Sequence, residues 1–344
     1  MAVRKLRSLN NTMLARSLFR RTLLAPSNAA AFSASPMADV KKVGVIGLGL
    51  MGHGVAQTAM QAGFDVVGLE TDPAFLQNGT NLIEGSLKKV HSRAVKKGKA
   101  TQEEADAAFA ADFGRFEGVT DVGALADCDL IIEAIVEDYG VKNPLYATLG
   151  ELCKPSTVFA TNTSSLSVTQ MGDASGRPEN MIGLHFFNPV QMMKLVEVVR
   201  TEHTSDAAFQ LGHEYCKAIG KVSISCKDTP GFVVNRLLVP YIAQAQLMVE
   251  RGDATAEDVD IAMRLGTGHP MGPIHLGDYV GHDTCKFILE GWVKNFPEEP
   301  NFVVPDILLK LNAAGRLGRK SGEGFYKWEN TADTAPSGPG APIE

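Results

Sequence analysis

The sequence has no C-x-x-C pair, and its five cysteines, Cys128, Cys153, Cys216, Cys226 and Cys285, are odd in number and stand at no metal-ligand spacing. A disulfide framework and a zinc site are therefore not expected, no other metal is implied, and a reducing compartment fits. Positive charge is not in excess: 33 Lys and Arg face 39 Asp and Glu, for a net charge of -6. That removes the electrostatic footprint of a nucleic-acid-binding protein. No run is apolar and long enough to span a membrane. Acidic residues are missing altogether before Asp39, whereas Arg4, Lys5, Arg7, Arg16, Arg20 and Arg21 lie there among Leu, Ser and Ala. This is the composition of a basic amphipathic import segment, so residues 1–38 are expected to be a mitochondrial presequence directing the chain to the matrix.

What remains is long and apolar enough for two domains, with 344 residues and 44% hydrophobic side chains. Residues 181–200, MIGLHFFNPVQMMKLVEVVR, are two apolar strand-like runs joined by an Asn-Pro turn. His185 interrupts the first run and Glu197 the second. A buried His or Glu is costly unless paired, and two facing each other across neighbouring strands would satisfy both. The same arrangement suits a general base, because a carboxylate fixes the imidazole tautomer and stabilises the imidazolium. A structural ion pair and a catalytic pair both fit this segment taken alone.

A second pattern favours chemistry. Residues 41–54, KKVGVIGLGLMGHG, contain Gly47-Leu48-Gly49-Leu50-Met51-Gly52, a G-x-G-x-x-G between a strand and a helix. Gly47 serves the tight turn, Gly49 the approach of a pyrophosphate, and Gly52 the close packing of helix on strand. The helix start offers N–H groups and partial positive charge to phosphates. The next strand, FDVVGLE, ends at Glu70, eighteen positions past Gly52, where a carboxylate can bond the ribose hydroxyls of an adenosine. No Arg follows in ETDPAFL to hold a 2′-phosphate, so NAD is expected rather than NADP.

Strands alternate with helices from Lys42 to about Cys226, the order of a doubly wound, Rossmann-like α/β sheet. An inserted helical hairpin, residues 73–97 and a second helix opened by the capping box Thr101-Gln102-Glu103-Glu104, is basic at Lys88, Lys89, Arg93, Lys96, Lys97 and Lys99. A solvated charged face is the usual meaning of such a run; a clamp for the phosphates of a large substrate is the other. Glu133 and Glu137 fall near the carboxyl end of CDLIIEAIVED, and Asn162 to Ser165 end the next strand, where ligands of such sheets sit. From Asp228 the strands stop and four helical segments are expected: GFVVNRLLVPYIAQAQLMVERG, TAEDVDIAMRLG, one after Pro273 and one near Pro305. The stripe Leu238, Tyr241, Ile242, Ala245 and Val249 suits an internal core or a dimer contact. The expected divisions are 1–38 presequence, 39–227 dinucleotide domain, 228–328 all-α domain for substrate and dimerisation, and 329–344 a disordered tail rich in Pro, Gly and Ala.

The stretches GLGLMG, EAIVED, NTSSL, GLHFFNPV, KLVEVV, CKDTPGFVVNRLL, ERGDA, PMGP and SGEGFYKW together resemble the L-3-hydroxyacyl-CoA dehydrogenase family of β-oxidation. The pairing of HFFNP with DTPGFVVNR is the specific part; the glycine block also occurs in β-hydroxyacid dehydrogenases. The resemblance implies His185 as base, Glu197 as its partner, Ser164 as a contact to both substrate and cofactor, and Asn235 as a substrate contact. For NAD it implies Gly47, Leu48, Gly49, Leu50, Met51, Gly52, Glu70, Glu137, Lys142, Ser164, Asn188 and Lys320. For coenzyme A it implies Ser86 and Arg93, the latter where the family usually has Lys. It further implies an acyl-CoA thioester substrate and a homodimer. A related dehydrogenase of a free hydroxy acid such as gulonate, and a non-catalytic NAD-binding protein as among lens crystallins, are the other readings. The basic hairpin speaks against the first, and the intact His185, Glu197, Ser164 and Asn235 against the second. No hydratase or thiolase portion is present.

Overall fold

A computed structural model describes residues 40–330 and 335–343. The presequence expected at 1–38 lies outside them. The first half follows the alternation of the sequence: β1 (Lys42–Ile46), α1 (Gly52–Gln61), β2 (Asp65–Leu69), α2 (Pro73–Lys96), α3 (Gln102–Phe113), β3 (Phe116–Val119), β4 (Leu130–Glu133), α4 (Tyr139–Leu152), β5 (Val158–Thr161), α5 (Val168–Ser175), β6 (Met181–Phe186), β7 (Leu195–Arg200), α6 (Asp206–Ala218) and β8 (Val222–Lys227). The sheet has eight strands in the order β3-β2-β1-β4-β5-β6-β7-β8. It is parallel from β3 to β6; β7 is antiparallel to β6, and β8 parallel to β7, so the last two strands run the other way.

Both faces of the sheet are covered, which is why its strands are continuous apolar runs rather than alternating ones. Val43, Val45, Leu130, Ile132 and Leu184 point into a core shared with α1, α2 and α6. Ile46, Ile131, Phe159 and Met181 point into a second core under α4 and α5. Each such side chain taken fully out of water contributes about 1.5–3 kcal/mol. The hairpin of α2 and α3 forms as expected. Asp72 caps α2 by accepting from Ala74 N–H, Pro73 opens it, and Thr101 and Glu104 complete a reciprocal capping box on α3.

Among the described residues the C-terminal half holds α7 (Val234–Glu250), α8 (Ala256–Thr267), α9 (Pro273–Val280), α10 (His282–Asn295) and α11 (Asp306–Ala313). That is one helix more than the sequence suggested. Gly281, at φ 102°, divides what looked like a single helix after Pro273 into α9 and α10. The segment GFVVN is not helical from its start either. Gly231 at φ 75° and Phe232 at φ 51° form a turn, and α7 begins only at Val234. The stripe of α7 is mostly internal: Ile242 and Ala245 are buried, and Leu238 and Val249 pack on the helical cores.

One buried carboxylate ties this half together. Asp278 on α9 accepts from His282 Nε2 (2.7 Å), Phe325 N–H (2.9 Å), Tyr326 N–H (3.0 Å) and Trp328 Nε1 (2.9 Å). Residues 335–343 differ from the disorder expected of them. A short strand β10 (Gly338–Pro339) pairs antiparallel with β9 (Tyr326–Lys327), Ala341 N–H donates to Glu323 Oε1, and Ile343 packs on the core of Ala245 and Phe325. Proline and glycine content argued for disorder, but a small apolar end and a free strand edge hold the segment. No helix among the described residues is long and apolar enough to cross a membrane.

Candidate active site

The hairpin register sets His185 directly opposite Glu197. Their side chains meet, with Nδ1 and Oε2 2.6 Å apart, and both are buried. The second carboxylate oxygen of Glu197 accepts from the N–H groups of Val233 (3.1 Å) and Val234 (2.9 Å) at the start of α7. The turn at Gly231 and Phe232 is what aims those donors. Burial pushes the Glu197 carboxyl up, but the His185 hydrogen bond, the two backbone donors and the charge of His185 outweigh it, and its pKa lies below the usual glutamate value. An ionised carboxylate only accepts, so Nδ1 of His185 carries the proton of this bond, and in the neutral form of the ring Nε2 is the nitrogen that holds the lone pair. The rings of Phe187 and Phe232, with centroids 4.6 and 5.6 Å away, hold the imidazole. The pair can therefore act as an oriented base.

Three other expected residues lie on segments next to the pair in the chain or the sheet. Asn235 lies in the first turn of α7, next to Val234. Ser164 follows β5, and its N–H donates to Glu137 Oε1 at 3.1 Å, while Thr163 Oγ1 donates to Glu137 Oε2 at 2.9 Å. Asn188 is exposed in the turn after β6, before the cis bond to Pro189. Asn162 Oδ1 accepts from Phe186 N–H at 2.8 Å and so fixes the end of the His185 strand.

The dinucleotide loop lines a cavity of about 600 Å³ together with Glu70, Thr71, Phe75, Asn78, Val136 and Val141. Its glycines are required for three separate reasons. Gly47 is left-handed at φ +84°, and a Cβ there would lie 2.7 Å from Ala134 O. A Cβ on Gly52 would lie 1.7 Å from Gly47 O. A Cβ on Gly49 would meet no protein atom within 4 Å, so that glycine leaves room for something else. Leu48 N–H donates to Glu70 Oε1 at 2.5 Å, which brings the strand-end carboxylate to the loop. These residues fit NAD: open backbone for the pyrophosphate, a carboxylate for the ribose and exposed apolar Leu50, Phe75 and Val136 for the rings.

Lys142, the next expected residue, is not among those lining this cavity. It is 1% exposed and bonds Glu133 Oε1 at 2.7 Å, with Glu137 3.4 Å away. Glu133, wholly buried, also accepts from Ile135 N–H and Thr161 Oγ1. Two carboxylates hold the ammonium inside the protein, and through Glu137 it adjoins Ser164, whose N–H the same carboxylate accepts. Lys320 is likewise engaged, by Asp283 at the start of α10, and is not among the residues lining the dinucleotide cavity. On α2, Ser86 is half-buried and accepts from Gln191, whereas Arg93 is exposed two turns further on. The sequence reading put Glu133 at the ligand edge of the sheet, as the charge closing the apolar strand LIIE, but gave it no role. It missed Gln191 entirely, since nothing in NPVQMM distinguishes a bridging amide from a solvated one.

Residues 42–229 match the family model for the NAD binding domain of 3-hydroxyacyl-CoA dehydrogenase, and residues 231–328 match that for its C-terminal domain. The chain is 47% identical over 291 residues to the mitochondrial hydroxyacyl-coenzyme A dehydrogenase of Rattus norvegicus, covering 84% of this chain and 92% of that one. It is 46% identical over 312 residues to the Homo sapiens enzyme of the same name, covering 90% and 98%. Among solved structures it is similar to the (S)-3-hydroxybutyryl-CoA dehydrogenase of Ralstonia eutropha, with TM-score 0.78, 36% identity, and coverage of 85% of this chain and 100% of that one.

Proposed function

Because the chain belongs to the 3-hydroxyacyl-CoA dehydrogenase family, its reaction is the NAD-dependent oxidation of a 3-hydroxyacyl-CoA to the 3-oxoacyl-CoA, and we propose that His185 is the base, acting on the (S)-alcohol. NAD, when bound, takes the hydride from C3. His185 Nε2 removes the proton of the C3 hydroxyl as that carbon becomes a carbonyl. Glu197 stays ionised and stabilises the imidazolium that results. Ser164 and Asn235 hold the oxygens at C3 and C1, so that the reacting carbon is fixed before the proton moves. Glu70 and the glycine loop hold the adenosine and pyrophosphate, with Glu137 and Asn188 nearer the nicotinamide. Lys142 holds Glu137 in place from behind.

The observation that carries this assignment is the His185–Glu197 contact, closed on its far side by the α7 N-terminus. A pair needed only for packing could be buried on all sides; among the described residues this one leaves Nε2 without a hydrogen-bond partner. The test is His185→Gln. It should bind NADH as the parent does and lose roughly 10²–10⁴ in kcat. A kcat near the parental value would remove His185 from the chemistry.

Two further readings accompany it. The first is a homodimer formed through the helical domain, supported by Leu237 and Leu265, which are 69% and 79% exposed on α7 and α8. The second is import to the mitochondrial matrix on residues 1–38, supported by their basic composition and by the mitochondrial names of the rat and human relatives.

A further inference from the structure

The loop joining β6 to β7 is tied down on two sides. Lys221 Nζ donates to Val190 O and, at 2.7 Å, to Met193 O. Gln191 reaches from the loop to two other elements: its Nε2 donates to Gln57 Oε1 of α1 at 3.1 Å and to Ser86 Oγ of α2 at 3.3 Å. Gln57 is fully buried, and its own amide donates to Gln61 Oε1 at 3.3 Å. Helix α1 is shaped for this approach. A Cβ at Gly54 would lie 2.7 Å from Val190 Cβ and 3.1 Å from Gln191 Nε2. Two turns before Ser86, Gly79 does the same against the cofactor loop, where a Cβ would lie 2.4 Å from Leu48 Cβ. Helix α2 is therefore registered at Gly79 against the loop that takes the dinucleotide, and at Ser86 against the loop that follows His185.

The direction of the Gln191 bond has a chemical consequence. A serine hydroxyl has one proton to donate and two lone pairs to offer. The Gln191 amide fills one lone pair, and among the described residues the Ser86 proton goes to no acceptor. It is left for a ligand. The same helix end is basic, and Lys89, Arg93, Lys96 and Lys97 make no ion pair among the described residues. We infer that Gln191 is a positioning residue that holds Ser86 as a hydrogen-bond donor to the phosphorylated nucleotide handle of the substrate, linking recognition of that handle to the strand that carries His185. This rests on the reading of the α2–α3 hairpin as the coenzyme A site.

The test compares two substrates of the full-length protein with NADH: acetoacetyl-CoA, and acetoacetyl-N-acetylcysteamine, which has the same reacting thioester without the nucleotide. The readout is the ratio of their kcat/KM values. Gln191→Ala should lower that ratio roughly three- to tenfold, the worth of one neutral hydrogen bond, with the loss falling on KM for acetoacetyl-CoA rather than on kcat. Gln191→Glu is nearly the same size and should lower it further, because a carboxylate would take the Ser86 proton and repel phosphate. A loss shared equally by both thioesters, or an unchanged ratio, overturns the inference. Arg93→Ala separates it from the reading beneath it. If Arg93→Ala also leaves the ratio unchanged, the hairpin is not the handle site. If it lowers the ratio while the Gln191 variants do not, only the role of Gln191 fails. The Kd for NADH, read by fluorescence, confirms that each variant is folded.

Discussion

At the residue scale the site depends on how one buried carboxylate is satisfied. Glu197 has four possible acceptor directions and fills three of them, with His185 and the N–H groups of Val233 and Val234 at the start of α7. Its pKa is depressed in the folded chain, so its contribution to stability is complete above the unfolded value near 4.5 and is lost as pH falls through the lower folded value. The parent should therefore lose stability in that acid window, as followed by urea unfolding at a series of pH values. Glu197→Gln, which cannot titrate, should show a flatter dependence there. The same variant should bind NADH and turn over slowly; failure to fold at pH 7 would instead make the pair structural. His185 and Glu197 could be paired from sequence because two charges in two apolar runs leave one sensible register. Lys142 could not be assigned that way. Its neighbour in space, Glu133, is nine residues earlier, and only the fold shows that the ammonium is turned inward.

At the element scale the three loop glycines make separate predictions. Gly52→Ala forces a Cβ against Gly47 O and should cost about 1–3 kcal/mol of stability along with NADH affinity. Gly49→Ala meets no protein atom, so it should keep the parental Tm and lose NADH affinity alone. Equal loss of Tm in both variants would contradict the assignment of Gly49 to the ligand. Asp278 offers the corresponding test in the helical half. Asp278→Ala strands the His282, Phe325, Tyr326 and Trp328 donors and should cost at least about 3 kcal/mol in urea unfolding. Helix α2, read as residues 73–97, and the start of α3 at its capping box were legible in the sequence nearly to the residue. Breaks set by a single positive φ were not. Gly281 and Gly231 look like any other glycine until the chain is folded, yet one splits a helix and the other delays α7 so that its first N–H groups meet Glu197.

At the scale of the whole molecule, the two halves divide the work. The sheet supplies the dinucleotide cavity and His185, and the helical half closes on the pair through the start of α7. Exposed Leu237 and Leu265 predict a dimer by light scattering at micromolar concentration, and Leu265→Glu should shift it toward monomer. An unchanged mass for that variant would place any interface elsewhere. The central claim is that this chain oxidises and reduces a thioester rather than merely binding a dinucleotide. The most direct measurement follows NADH at 340 nm with the full-length protein, acetoacetyl-CoA in one cuvette and free acetoacetate in another. Turnover of the thioester with little or none of the free acid is the predicted result. NADH binding without turnover of either would contradict it and leave His185 and Glu197 as a structural pair.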